Sequence, residues 1–175
     1  MITRRDLYRF GANVLGGLFT LGLAAPGAAY ILSPLRGRSK ADAFHPLARL
    51  SDLKEGVPRE FTVLDERRDA WVKYPREPVG SVWLIRRYEE GDEVVIAYSA
   101  ECPHLGCAVS LAPDCQSFHC PCHQSRFDLD GRPINAVPPR EMDRLDVQLS
   151  TDPDPEVRVK FQRFRSMKRK KVPLA

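Results

Sequence analysis

The sequence predicts an all-β protein, an antiparallel β domain over residues 47–164 carried on a single N-terminal transmembrane helix. Three observations predict it. The stretch from Phe10 to Leu35 carries no charge, an uninterrupted run of 26 residues. Beyond residue 41 no segment repeats as an amphipathic helix for more than two turns, whereas short alternating runs recur between turn residues. Fifteen prolines against eleven glycines suit a turn-rich β chain better than a helical bundle. Five cysteines are too few for a disulfide scaffold, so a hydrophobic core must supply most of the stability.

The anchor comes first in the chain. Residues 10–32 read FGANVLGGLFTLGLAAPGAAYIL, and as a helix they reach roughly 34 Å, enough for a ~30 Å hydrocarbon core with some tilt. Gly11, Gly16, Gly17, Gly22, Gly27 and Pro26 would weaken a soluble helix, but membrane helices tolerate them. The run exceeds the ~7–15 residues of a signal-peptide core, so a retained anchor is expected. Arg4, Arg5 and Arg9 precede it and Arg36, Arg38 and Lys40 follow, so charge counting leaves orientation open. The segment Thr3-Arg4-Arg5-Asp6-Leu7-Tyr8 resembles a twin-arginine export signal, although Leu7 and Tyr8 stand where Phe and Leu are commoner. The expectation is a single pass through a bacterial plasma membrane. Residues 1–9 would be cytoplasmic and the body extracytoplasmic.

Residues 33–46 (SPLRGRSKADAFHP) have linker composition and form a candidate hinge. Strands are expected at 61–64, 71–73, 81–87, 93–98, 107–111, 116–119, 126–129, 145–149 and 156–161. Glu90-Gly91-Asp92 is positioned to close a hairpin, and Asp130-Gly131 marks another turn. Residues 156–171 hold eight basic side chains and one acid, leaving 19 basic and 22 acidic residues elsewhere. A basic tail, 165–175, therefore follows a slightly acidic body, which argues against a nucleic-acid-binding surface. The tail is expected to be a solvated terminus, with anionic lipid or an acidic subunit as the functional alternative. His45 is expected in solvent, His119 on a strand or surface, and Cys115 as a free thiol.

Two clusters carry the chemistry. Cys102-Pro103-His104-Leu105-Gly106-Cys107 and Cys120-Pro121-Cys122-His123-Gln124-Ser125 each offer one Cys and one His at close spacing, with a second cysteine left over. From the ligand count alone, two thiolates and two imidazoles could hold a tetrahedral zinc ion. The two remaining cysteines are more than such a site requires, and an exported protein oxidises free thiols.

These two motifs closely resemble both loops of the Rieske iron–sulfur family, and the resemblance runs from about Leu50 to Phe164, through Pro78–Leu84 and the Asp128–Gly131 turn. It implies a Rieske-type antiparallel β-sandwich with a cluster-binding part at about residues 100–140. It also implies one [2Fe–2S] cluster per chain, with Cys102 and Cys120 on one iron, His104 and His123 on the other, and a Cys107–Cys122 disulfide. Two neutral imidazoles in place of two thiolates make the cluster less negative, so adding an electron costs less Coulomb energy. Rieske centres as a class lie at roughly −150 to +300 mV, a range that belongs to the class rather than to these residues. Each imidazole keeps one ring N–H outward, and an electron and a proton are then held together, as a hydroquinone donor requires.

Further positions follow from the same resemblance. Ser125 matches a serine that hydrogen-bonds a bridging sulfide, and Leu105 an apolar residue that packs against the quinone. Phe127 stands where high-potential members carry a hydrogen-bonding tyrosine, so a potential below the top of the class is expected, suited to menaquinol. Gln124 replaces the usual glycine. Asn135–Arg140 resembles the proline-rich loop that covers the cluster, without its usual glycine-proline start. The implied role is an electron-transfer subunit of a quinol–cytochrome c oxidoreductase, working with cytochrome b-type and c-type subunits in the lipid bilayer. The alternative is the small subunit of an exported molybdenum oxidoreductase of the arsenite-oxidase kind.

Overall fold

The computed structural model describes residues 3–36, 43–69 and 72–174. One helix, α1 (Arg4–Arg36), precedes nine strands. These are β1 (Phe44–Arg49), β2 (Arg59–Asp69), β3 (Val72–Glu89), β4 (Asp92–Ser99), β5 (Ser110–Leu111), β6 (Ser117–Cys120), β7 (Ser125–Asp128), β8 (Arg144–Leu149) and β9 (Glu156–Lys160). The helix and the main body of the β head fall into separate compact units.

The residues flanking the arginine pair start the helix. The Thr3 hydroxyl accepts from the Asp6 N–H at 3.2 Å, and the Asp6 carboxylate accepts from the Thr3 N–H at 3.2 Å, a reciprocal cap. Within the span the Thr20 hydroxyl donates to the Gly16 carbonyl at 2.8 Å, so that hydroxyl is satisfied within the helix itself. Within Arg4–Leu32 an 18-residue stretch reaches a mean hydropathy of 1.6, and this is, among the described residues, the one helix long and apolar enough to cross a bilayer. Residues 33–36, expected in the linker, continue the helix instead. Of the remaining hinge expectation, residues 37–42 lie outside the described residues, and Phe44–Pro46 are strand.

A six-stranded sheet runs in the order β1-β9-β8-β4-β3-β2. β1 pairs antiparallel with β9 across Phe44↔Lys160 and His45↔Val159, with a shift in register between Pro46 and Ala48. That break is where an edge strand can hold a proline, and it places His45, expected in solvent, half-buried in the ladder. β3 and β4 form the expected hairpin, Val82↔Ser99 through Glu89↔Asp92, with Glu90 and Gly91 at φ 55° and 94° in its turn.

Alternation along β3 and β4 divides their side chains between two cores. Val82, Leu84, Val95 and Ala97 join Leu50, Leu53, Val63, Leu145, Val157 and Val159, so the sheet wraps one aliphatic core. Trp83, Ile85, Ile96 and Tyr98 face the other way and pack on Ala100, Val109, Phe118, Phe127 and Met142. Both faces are covered, which is why Val82–Ile85 and Val94–Tyr98 read as continuous apolar runs. The second layer is a three-stranded sheet, β5-β6-β7. Its β5 is only two residues long, because Glu101 bridges to Ala108 and commits the preceding residues to a loop.

The C-terminal segment does not leave the head as a solvated tail. The Arg165 N–H donates to the Val172 carbonyl and the Leu174 N–H to the Arg163 carbonyl, both at 2.8 Å, while Phe164 is buried. The Lys171 ammonium lies 4.5 Å from the centre of the Phe164 ring. The basic side chains of Arg163, Arg165, Lys168, Arg169, Lys170 and Lys171 are nevertheless exposed, so it is the backbone of the segment that docks.

Candidate metal centre

Loop 1, residues 102–107, leaves the end of β4 and is closed by two internal bonds. The Cys102 N–H donates to the Cys107 carbonyl and the Gly106 N–H to the Cys102 carbonyl, each at 2.8 Å. Gly106 sits at φ 77°, a left-handed conformation that a side chain would strain. The indole N–H of Trp83 donates to the Val109 carbonyl at 2.9 Å, tying the far end of the loop to β3.

Loop 2, residues 121–124, is the tip of the β6–β7 hairpin, since Cys120 pairs with Ser125 and Phe118 with Phe127. Gln124 takes the left-handed conformation at φ 61° where the family pattern has glycine. Its side-chain oxygen lies 3.1 Å from His119 Nε2, and its amide nitrogen donates to the Pro121 carbonyl at 3.5 Å. These bonds offset the cost of that backbone for a residue bearing a Cβ. The Asn135 side chain then spans loop 2: its amide donates to the Gln124 carbonyl at 2.7 Å, and its oxygen accepts from the Arg126 N–H at 3.2 Å.

The loops bring sulfur inside and imidazole outside. Cys102 and Cys120 are buried, with free thiols. The His104 and His123 rings meet edge to face with centroids 4.8 Å apart, His104 half-buried and His123 exposed. Leu105 beside them is 52% exposed. Cys107 and Cys122 are joined as a disulfide, with Cα atoms 6.6 Å apart, and lock loop 1 to loop 2. The sulfur atoms of Cys107, Cys120 and Cys122 all lie within 4.8 Å of one another. Two of those sulfurs are bonded to each other, so the group is not a three-sulfur metal site.

Two features show what the interior of this site is built to receive. Burial pushes the Cys120 thiol up, and the neighbouring Cys102 thiol adds to the shift, while backbone N–H groups of Cys122 and His123 point at its sulfur and oppose it. A bound cation is the partner that turns such a buried, N–H-contacted sulfur into a thiolate ligand. The Ser125 hydroxyl is completely buried and has no hydrogen-bond partner among the described residues. A buried hydroxyl so placed costs stability unless an acceptor is supplied, and an inorganic sulfide is such an acceptor. Phe127 is also fully buried and brings no polar atom.

Sequence reading located both loops and the segment that begins at Asn135. It did not locate what braces them. Arg140 and Asp143 form a buried bidentate pair, Nε to Oδ1 at 2.9 Å and Nη2 to Oδ2 at 2.7 Å. No spacing rule marks an Arg-x-x-Asp in a proline-rich turn as buried. His119 lies on β6, and Cys115 is an exposed free thiol at φ 56°.

The fold and this paired-loop site define an iron–sulfur-type electron-transfer domain, and comparison with known proteins agrees. The Rieske [2Fe-2S] domain family matches residues 43–149. The chain is 30% identical over 155 residues to the menaquinol:cytochrome c reductase iron-sulfur subunit of Geobacillus thermodenitrificans, covering 85% of this chain and 86% of that one. It is 31% identical over 142 residues to the subunit of the same name from Bacillus subtilis (strain 168), covering 79% and 80%. A solved hyperthermophilic respiratory Complex III structure contains a chain similar to it at 19% identity and a TM-score of 0.47, covering 83% of this chain and 98% of that one. The chain belongs to the Rieske [2Fe–2S] family.

Proposed function

We propose that this chain is the electron-transfer iron–sulfur subunit of a membrane quinol–cytochrome c oxidoreductase, with menaquinol as the quinol. The observation that carries the reading is the pair of imidazoles, His104 and His123, facing out above two buried cysteines and beside the exposed side chain of Leu105. Relatives with menaquinol in their names, similar over most of this chain's length, support the choice of quinol.

In this reading Cys102 and Cys120 hold one iron, and His104 and His123 the other. A [2Fe–2S] cluster bound there supplies one-electron redox chemistry at a potential raised by its neutral ligands. The residues do the rest. His104 and His123 present ring nitrogens at the surface, where one can accept a hydroxyl proton from the quinol. Leu105 offers an apolar contact for the quinone ring, and Ser125 donates its otherwise unpartnered hydroxyl to a sulfide. Cytochrome b-type and c-type subunits complete the complex. The helix lies in the bacterial plasma membrane, with residues 1–9 cytoplasmic and the head outside.

The test is an EPR spectrum of the dithionite-reduced membrane fraction, with and without a quinol-site inhibitor, together with copurification. A Rieske signal that shifts with inhibitor, in material carrying b- and c-type haem, is expected. An unshifted signal copurifying with molybdopterin would transfer the chain to a molybdenum oxidoreductase. Absence of iron and acid-labile sulfide would end the reading.

A further inference from the structure

We infer that residues 163–174 form a strap that holds loop 1 from outside, and that Arg140 is the residue that latches it. The Arg140 side chain is only 6% exposed. Two of its nitrogens grip Asp143, and the third, Nη1, donates to the Arg165 carbonyl at 3.1 Å and the Lys168 carbonyl at 2.7 Å. One guanidinium thus pins both ends of the turn 165–168. At that turn Met167 has φ 58°, which directs its N–H to the Pro103 carbonyl at 3.0 Å. Pro103 lies between Cys102 and His104. The Ser166 hydroxyl stands 3.6 Å from where a side chain on Gly106 would begin. At the strap's start Arg163 pairs with Glu101, just before loop 1.

The load path returns to the rigid sheet. The Ser99 N–H at the end of β4 donates to the Asp143 carbonyl at 2.9 Å. Asp143 therefore fixes Arg140, Arg140 fixes the strap, and the strap fixes the backbone just before His104. Asn135, a few residues before Arg140, braces loop 2 from the same segment. Only an arginine has the planar fork to bind a carboxylate with two nitrogens and still reach two carbonyls with the third. Arg140 touches none of the proposed metal ligands, so it is a positioning residue. This rests on the proposed role of loop 1 in carrying His104.

The test uses the full-length chain in detergent, comparing wild type, Arg140→Lys and a chain ending at Phe164. The truncation leaves Arg140 exposed to water rather than buried without acceptors, so it guards against simple misfolding of the point variant. Amide hydrogen exchange in residues 102–107 is expected to quicken roughly ten-fold or more in both variants, the loss of one or two hydrogen bonds of local protection, while β3 and β4 keep theirs. The reduced EPR signal is expected to broaden, with iron content unchanged. Unaltered exchange in loop 1, full rescue by lysine, or equal quickening in β3 and β4 would each overturn the latch. Loss of iron from wild type would instead defeat the proposed function, and the exchange comparison would still judge the strap.

Discussion

Around the aliphatic core, Val63, Leu84, Val95, Val157 and Val159 stand on strands whose ladders run for five to eighteen residues. Around the second core, Trp83, Phe118, Phe127 and Met142 meet, and the strands that belong to its own layer are two and four residues long. The first region is held by long backbone ladders over a continuous apolar core. The second is stitched instead by single bonds: the Cys107–Cys122 disulfide, the Trp83 indole, the Asn135 amide and the buried Arg140–Asp143 pair. Short loops can aim two buried thiols and two outward imidazoles at one point. Long ladders cannot, because their side chains leave the sheet at fixed intervals.

That contrast can be broken first at the ligands. Cys102→Ser and Cys120→Ser are each expected to remove iron and acid-labile sulfide to background, while the circular dichroism of the large sheet persists. Loss of the whole β signal would mean that the two regions fold as one unit. Truncation in each core comes next. Leu84→Ala is expected to cost about 2–5 kcal/mol and to weaken the entire head. Phe118→Ala should cost about 3–5 kcal/mol but concentrate its effect on loops 1 and 2. Urea denaturation followed by hydrogen exchange separates the two patterns.

The disulfide sharpens the comparison further. Joining residues 15 apart, it is worth about 3 kcal/mol to a loop of that size. Cys107→Ser with Cys122→Ser is expected to speed chelator-driven iron loss with little change in the melting of the large sheet. Phe127→Tyr adds one hydroxyl to a fully buried ring. If that hydroxyl donates to a ligand sulfur at about 1 kcal/mol, the midpoint potential rises by roughly 40 mV. An unchanged or lower potential in redox titration would defeat the assignment.

The smallest effect is expected at the Arg87–Asp130 ion pair, which links β3 to the Asp128–Gly131 turn. Arg87 holds the Asp130 carboxyl below the usual carboxylate range. Its contribution is therefore present above the unfolded pKa of about 3.9 and lost as pH falls through the lower folded value. Arg87 is half-buried but Asp130 is exposed to solvent that screens the charge, so the pair is worth only ~0.5 kcal/mol. Asp130→Asn should lose about that much in urea denaturation at pH 7, and the gap to wild type should close in acid.

Much of this molecule is legible along the chain because its signals are local. The charge-free run becomes α1, the Glu90-Gly91-Asp92 turn closes β3 on β4, and the two Cys–His motifs form neighbouring loops. β1 was not legible, since Phe44–Arg49 becomes a strand only by pairing with β9, more than a hundred residues away, and Pro46 weakens its pattern. The basic tail misleads for the same reason: its charges read as solvated, but its backbone is claimed by Arg140 and Pro103. Residue type and spacing by themselves determined the long apolar helix, the β class and the place of the two Cys–His motifs in the chain. The partners of Arg140, the docking of the C-terminal backbone on Pro103 and the pairing of β1 with β9 were decided only in the tertiary structure. Burial and hydrogen-bond geometry are properties of groups meeting across long separations, and no local pattern encodes which of them will meet.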